Sequence, residues 1–220
     1  MIPKTIHICW FSGEEYTPFI KECIETWKIH LPEFNIRLWD KDSFDFDSIP
    51  FVKEALLAKK WAFAADYIRL YALYTEGGLY LDSDVRILKP FKEEWFDYGF
   101  FSAHEIHPGL FEEDGGMQRL NSSFLPKTAG KPIMGFAIQG AIFASVPKHP
   151  YIKDCLDQYK NLQLFADDGT IDLKKSNNRF CNNPSRRKIR IYLSRQRTNL
   201  KREYAHSPIQ YISRKLNLFR

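Results

Sequence analysis

A chain of 220 residues, 44% apolar and 15% aromatic, is long enough for one domain, or one domain with a tail, and too apolar for wholesale disorder. No apolar run reaches the roughly 18 residues of a membrane span, and Met1-Ile-Pro-Lys-Thr-Ile-His7 lacks the apolar stretch and cleavage site of a secretory signal. The net charge of +5 hides two unlike segments: residues 1–173 hold 18 Lys and Arg against 26 Asp and Glu, whereas residues 174–220 hold 14 against a single acid, Glu203.

Thr5-Ile-His-Ile-Cys-Trp10 is rich in β-formers and stops at Ser12-Gly13, which predicts a buried first strand. Thr17-Pro18 supplies an N-cap and a proline at the first helical position. Ile20, Cys23, Ile24, Trp27 and Leu31 follow at helical spacing, so a helix is expected to run to about Pro32. Asn35-Ile-Arg-Leu-Trp39 alternates and predicts a second strand ending at Asp40. Strand, helix, strand is the opening of a nucleotide-binding α/β sheet.

Two helices are expected next, over residues 51–60 and 61–76, the second closed by Gly77-Gly78. Leu79-Tyr-Leu-Asp82 is a strand that follows at once, and residues 100–104 and 136–145 predict two more. Between those last two, residues 106–132 carry Pro, Gly and charge without a period, which predicts a long functional loop. His149-Pro150 opens a last helix with Ile152, Cys155, Leu156 and Tyr159 on one face. The four cysteines, Cys9, Cys23, Cys155 and Cys181, are far apart with no C-x-x-C pair, which suits reduced thiols and a cytoplasmic setting.

The densest chemistry lies between Ala65 and Val85. A helix rises roughly 16 Å from Asp66 to Gly77 at about 1.5 Å per residue. A strand returns roughly 13 Å from Gly78 to Asp82 at about 3.3 Å per residue. A tight Gly-Gly reversal therefore sets Asp66 and Arg69, which share a helix face, level with Asp82 and Asp84. Two acids one residue apart at a strand end suit a Mg²⁺ or Mn²⁺ ion that also holds phosphate oxygens. Arg69 has two open roles, a fork for phosphate or an orienting partner for a carboxylate. A bare D-x-D is common in solvated turns; Asp66, Arg69 and Gly77-Gly78 at this spacing are what distinguish it here. His7 reads as a hydrogen-bonded core histidine, and Tyr67, Tyr71 and Tyr74 as core aromatics at helical spacing. His104, Glu105 and His107 open the long loop, where they are candidates to meet an acceptor or simply solvated.

Pro3-Lys-x-Ile-His7-x-x-Trp10 resembles the opening motif of glycosyltransferase family 32, and Ala65-Asp-x-x-Arg69 with Gly77-Gly-x-Tyr-x-Asp82-x-Asp84 resembles that family's sugar-binding region containing the DXD motif. The resemblance covers about residues 1–165. It implies an α/β, GT-A type nucleotide-binding fold with a mixed central sheet flanked by helices. It also implies a UDP- or GDP-sugar donor, a Mn²⁺ or Mg²⁺ ion, and a hexosyltransferase that retains anomeric configuration. By motif position, Trp10 matches the aromatic that stacks on the donor base, and Asp66 and Arg69 match the pair that contacts the donor. Asp82 matches the first DXD acid, touching sugar and ribose and reaching the metal through water, and Asp84 matches the direct metal ligand. No catalytic base is implied, because the departing phosphate itself can take the acceptor's proton. Short members of this kind are bacterial and build capsule or O-antigen, which implies a lipid-linked glycan acceptor.

The family's His- and Trp-rich closing element has no counterpart here. Residues 178–220 contain no tryptophan and 12 basic side chains against one acid. The chain thus divides into a glycosyltransferase region, 1–177, and a basic tail, 178–220. Three explanations of the tail stay open: an arm for anionic lipid headgroups at the inner face of a membrane, a nucleic-acid contact, or out-of-frame translation that leaves an impaired enzyme. No recognised nucleic-acid fold accompanies it, so no nucleic-acid partner is expected. A tail this basic is expected to lack stable packing and to be trimmed by trypsin back toward residue 178. A rival enzyme class also fits part of the pattern. A strand followed by Asp82-x-Asp84-Val85 matches the nucleophile loop of HAD-type phosphatases, although 81 residues precede it and the downstream acidic match, residues 166–172, is poor.

Overall fold

A computed structural model describes residues 1–122, 126–128, 131, 133–160, 162–166 and 168–171. The expected basic tail, 178–220, and the boundary set for it lie outside these residues. The described residues fall into two compact units, one of residues 1–102 and 140–171 and one of residues 103–139.

In the first unit, strand β1 (Thr5–Cys9) leads into helix α1 (Pro18–His30) and back to β2 (Asn35–Trp39), which pairs parallel to β1 in the register Thr5↔Asn35 to Cys9↔Trp39. The Thr17 hydroxyl caps α1 by accepting from the Ile20 amide at 3.3 Å. Ile20, Cys23 and Trp27 then bury one face of the helix. Helices α2 (Pro50–Leu57) and α3 (Trp61–Thr75) form the second crossover, which delivers β3 (Gly78–Leu81) parallel to β1 on the side away from β2.

Strand β3 is buried at all four positions, as a central strand covered on both faces should be. Its other neighbour is β5 (Phe136–Ser145), which runs antiparallel from Gly78↔Ser145 to Leu81↔Ile142. With β4 (Phe100–Ile106), the five strands take the order β2-β1-β3-β5-β4. Helix α6 (Pro150–Asp157), capped by the His149 ring accepting from the Tyr151 amide, buries Ile152, Cys155 and Leu156. The architecture is α/β with a mixed central sheet flanked by helices, the class expected from the sequence. Its core holds Ile6, Ile8, Trp27, Ile68, Leu70, Leu73, Leu79 and Phe143.

The second unit corrects one expectation. Residues 106–132 are not a structureless loop: they carry α4 (Pro108–Glu113) and α5 (Gly116–Arg119). Phe111, Leu120 and Ile133 make a small apolar cluster there with Ile106, Met117 and Phe136. Helices of six and four residues are too short to print a 3.6-residue period, so the pattern was invisible to a periodicity argument.

Candidate functional site

The Gly77-Gly78 reversal determines the geometry. Gly77 has φ +68° and Gly78 φ +112°, both in the left-handed half of backbone space. A Cβ on Gly78 would come within 2.6 Å of the Thr5 carbonyl oxygen, and one on Gly77 within 2.6 Å of the Pro147 ring. Only glycine fits either position, so α3 turns into β3 with nothing spare.

The reversal brings Asp66, Arg69 and Asp82 together, as the rise-per-residue estimate predicts. Arg69 is buried at 7% exposure, and its guanidinium donates to the Asp66 carboxylate and, at 3.1 Å, to the Gly140 carbonyl. The same guanidinium lies 3.8 Å from Asp82 Oδ1 and 5.8 Å from the centroid of the Tyr80 ring. In this geometry Arg69 engages carboxylates, one of the two roles left open for it.

Asp82 is held from a second side, where the Tyr80 hydroxyl donates to Oδ1 at 2.7 Å. Its amide donates to the Ala141 carbonyl at 2.9 Å, and its own carbonyl accepts from Val85 at 3.0 Å, closing a tight turn around Ser83 and Asp84. Beyond the turn, the Trp27 indole donates to the Val85 carbonyl at 2.7 Å, and the Thr26 hydroxyl accepts from the Ile87 amide at 3.0 Å. Helix α1 therefore pins the strand exit that presents the two acids.

The electrostatics are strained in one direction. Burial raises the Asp66 pKa, with Arg69 pulling it down and Asp82 pushing it up. Burial likewise raises Asp82, opposed by Arg69 and the Tyr80 hydrogen bond and reinforced by Asp84. Arg69 is held firmly protonated: its burial is outweighed by Asp66, Tyr80 and Asp82. One guanidinium thus faces two half-buried carboxylates with the exposed Asp84 nearby, and a cation beside them would relieve the excess.

Asp84 is exposed on the turn and Asp82 keeps a third of its side chain in solvent. Among the described residues no three His, Cys, Asp or Glu side chains converge as a metal cage. Two carboxylates that both reach solvent suit Mg²⁺ or Mn²⁺, which keep positions for water and phosphate, so the residues fit a metal shared with a diphosphate.

Trp10 lies one residue past the end of β1. Its amide donates to the Trp39 carbonyl at 2.9 Å and its indole to the Glu14 carbonyl at 2.7 Å. Its ring meets Tyr16 edge-on at 4.9 Å, and the residue is half-buried. Trp39 is core at 2% exposure, and Tyr67 is buried beside Tyr71 and Tyr159.

Two neighbours of the cluster were not singled out by residue type. Tyr80 lies inside the quoted Gly-Gly-x-Tyr-x-Asp pattern, but a strand tyrosine reads as core. Cys9 sits beside Tyr80, Arg69 and Asp82, and burial pushes its thiol well above the usual range. Its position at the end of the first strand was the available signal.

Residues 1–219 match the family model of capsular polysaccharide synthesis proteins, and the chain belongs to that family. None of the curated proteins matches it significantly. Among solved structures, the PaToxG glycosyltransferase is similar at 19% identity and a TM-score of 0.48, over 71% of this chain and 60% of that one. The galactosyltransferase LgtC, in complex with donor and acceptor sugar analogs, is similar at 15% identity and a TM-score of 0.36, over 75% and 68%. This chain therefore spans 60% of the length of the PaToxG structure. Among the described residues no helix is long and apolar enough to cross a membrane.

Proposed function

We propose that the protein is a glycosyltransferase with a GT-A type site, transferring a sugar with retention from a UDP- or GDP-sugar to a surface-glycan acceptor during polysaccharide synthesis. Family membership supports the polysaccharide setting. The observation that carries the enzymatic reading is the meeting of Asp66, Arg69 and Asp82 behind an exposed Asp84 at the exit of a buried central strand.

Breaking a sugar–phosphate bond leaves a nucleoside diphosphate whose charge must be neutralised. A Mn²⁺ or Mg²⁺ ion at Asp82 and Asp84 supplies that neutralisation when bound. The chain's own groups do the rest. Asp84 offers an exposed carboxylate, while Asp82 is oriented by Tyr80 and Arg69 so that it can also accept from donor hydroxyls. Asp66 keeps Arg69 in place, and the half-exposed Trp10 ring offers a face to the base. The acceptor is lipid-linked in this reading, and the enzyme works at the cytoplasmic face of a membrane through peripheral contact.

Calorimetry with UDP and with GDP, each with MnCl₂, tests the reading. One nucleotide should bind in a metal-dependent way, and Asp84→Asn should reduce that affinity by about 100-fold with folding nearly unchanged. Equal affinity in Asp84→Asn would overturn the assignment. Rapid hydrolysis of p-nitrophenyl phosphate, abolished by Asp82→Asn, would instead support the phosphatase class.

A further inference from the structure

His7 is fully buried at the centre of β1, one strand away from the carboxylates, and the chemistry above makes no use of it. Its ring nitrogens have defined and different partners. The Trp39 indole donates to Nδ1 at 3.0 Å, which leaves Nδ1 no proton of its own. The proton is therefore on Nε2, which lies 2.7 Å from the Gly77 carbonyl oxygen and donates to it. Burial and the nearby Arg37 keep the ring neutral, with the pKa lowered to about 4.

The bond from His7 lands on the reversal itself. Gly78, the next residue, approaches so closely that a Cβ would sit 3.0 Å from His7 Nε2. Strand β3 is only four residues long, and Asp82 follows it directly. On the other side of the reversal, the Gly77 amide donates to the Leu73 carbonyl at 3.0 Å, fastening the turn to α3. Gly77 is thus tied through its amide to the helix that carries Asp66 and Arg69, and through its carbonyl to β1, which pairs with β3 at His7↔Tyr80. Trp39 is itself fixed, with Tyr71 edge-on at 5.9 Å and the Arg37 guanidinium 4.6 Å from the ring centroid. Arg37 in turn pairs with Glu76 at 3.0 Å, immediately before the two glycines.

We propose that His7 is a positioning residue for the donor site: relayed from Trp39, its Nε2–H holds the Gly77 carbonyl and so sets the phase between α3 and β3 that brings Asp66 and Arg69 onto Asp82. The proposal rests on the donor-site reading for its functional consequence. Its geometric content stands without that reading. A core histidine that only filled space would be replaceable by any side chain of like volume; one that positions is replaceable only where an N–H is returned to Gly77.

The test compares His7→Gln, which can return an N–H to the Gly77 carbonyl, with His7→Leu, which cannot. In ligand-free ¹⁵N spectra of the full chain at neutral pH, His7 should show a protonated Nε2 and an unprotonated Nδ1. Amide resonances of Asp66, Arg69 and Asp82 should move in His7→Leu and stay near the parent positions in His7→Gln. Binding of UDP or GDP with MnCl₂, whichever the parent binds, should weaken at least tenfold in His7→Leu and recover in His7→Gln. Shifts in His7→Leu confined to residues 5–8, 37–39 and 77–79 would overturn the proposal, as would equal loss in both variants. If His7→Leu does not fold, Trp39→Phe removes only the indole donor; persistence of a single Nε2–H tautomer there would refute the relay. A parent that binds neither nucleotide defeats the donor reading, while the ligand-free spectra still decide the role of His7.

Discussion

Asp66 and Arg69 lie three residues apart on α3, and Asp114 and Arg119 lie five apart across the junction of α4 and α5; in both pairs the guanidinium donates to the carboxylate. The surroundings differ. Arg69 keeps 9% of its side chain exposed and faces a second acid, Asp82, at 3.8 Å. Arg119 and Asp114 keep 32% and 24% exposed, and the Asp114 carboxylate also accepts from the Met134 amide at 2.8 Å. The second pair closes a chain excursion. The first holds an excess of negative charge at a strand end, an arrangement with a cost that a purely structural pair has no reason to bear.

The largest effect is expected at Arg69. Arg69→Ala leaves Asp66 and Asp82 without their shared cation, and breaking a buried pair from one side costs about 3–5 kcal/mol. Chemical denaturation should show that loss, and metal-dependent nucleoside-diphosphate binding should disappear. Replacing both partners, Asp66→Leu with Arg69→Met, should recover most of the stability and none of the binding. If the double variant binds nucleotide like the parent, the pair is structural after all and the contrast with Asp114–Arg119 collapses.

The next effect is a pH dependence. An ordinary histidine titrates near 6.5 and His7 near 4, so protonation is resisted only in the folded state. The unfolded chain then binds more protons between those values, and stability rises with pH across that window. His7 contributes about 3 kcal/mol, fully present above pH 6.5 and lost as pH falls toward 4. Asp66 and Asp82 act oppositely, because their raised pKa values favour the native state at low pH. The difference between parent and His7→Gln isolates the histidine. From pH 4 to 7 the denaturant midpoint should gain more with rising pH in the parent than in the variant; parallel curves would mean that His7 is not held neutral.

How far the sequence disclosed this site depended on the kind of signal. Chain geometry was enough for Asp66, Arg69 and Asp82, because helix rise, strand rise and two glycines leave little freedom. The role of Arg69 was not legible: an i, i+3 spacing states which residues are adjacent but not whether the pair faces solvent, phosphate or the sheet. Tyr80 was hidden because a strand aromatic reads as core, and it is core at 1% exposure; only the direction of its hydroxyl reveals the second task. Residues 106–132 misled for the opposite reason, since segments this short carry composition but no period.

The smallest effect is expected at the comparison pair. Arg119→Ala removes a partly exposed partner whose aspartate can still accept from the Met134 amide and from water, so the loss should be about 1 kcal/mol or less. Amide exchange should rise in residues 114–120 and at Met134, where the pair ties the chain. The Phe111, Leu120 and Ile133 cluster keeps its apolar contacts, so the helices themselves should persist. Nucleoside-diphosphate binding with MnCl₂ should be unchanged, because no charge at Asp66, Arg69, Asp82 or Asp84 is altered. A loss of binding as large as that of Arg69→Ala would place Arg119 in the machinery and erase the distinction drawn between the two pairs.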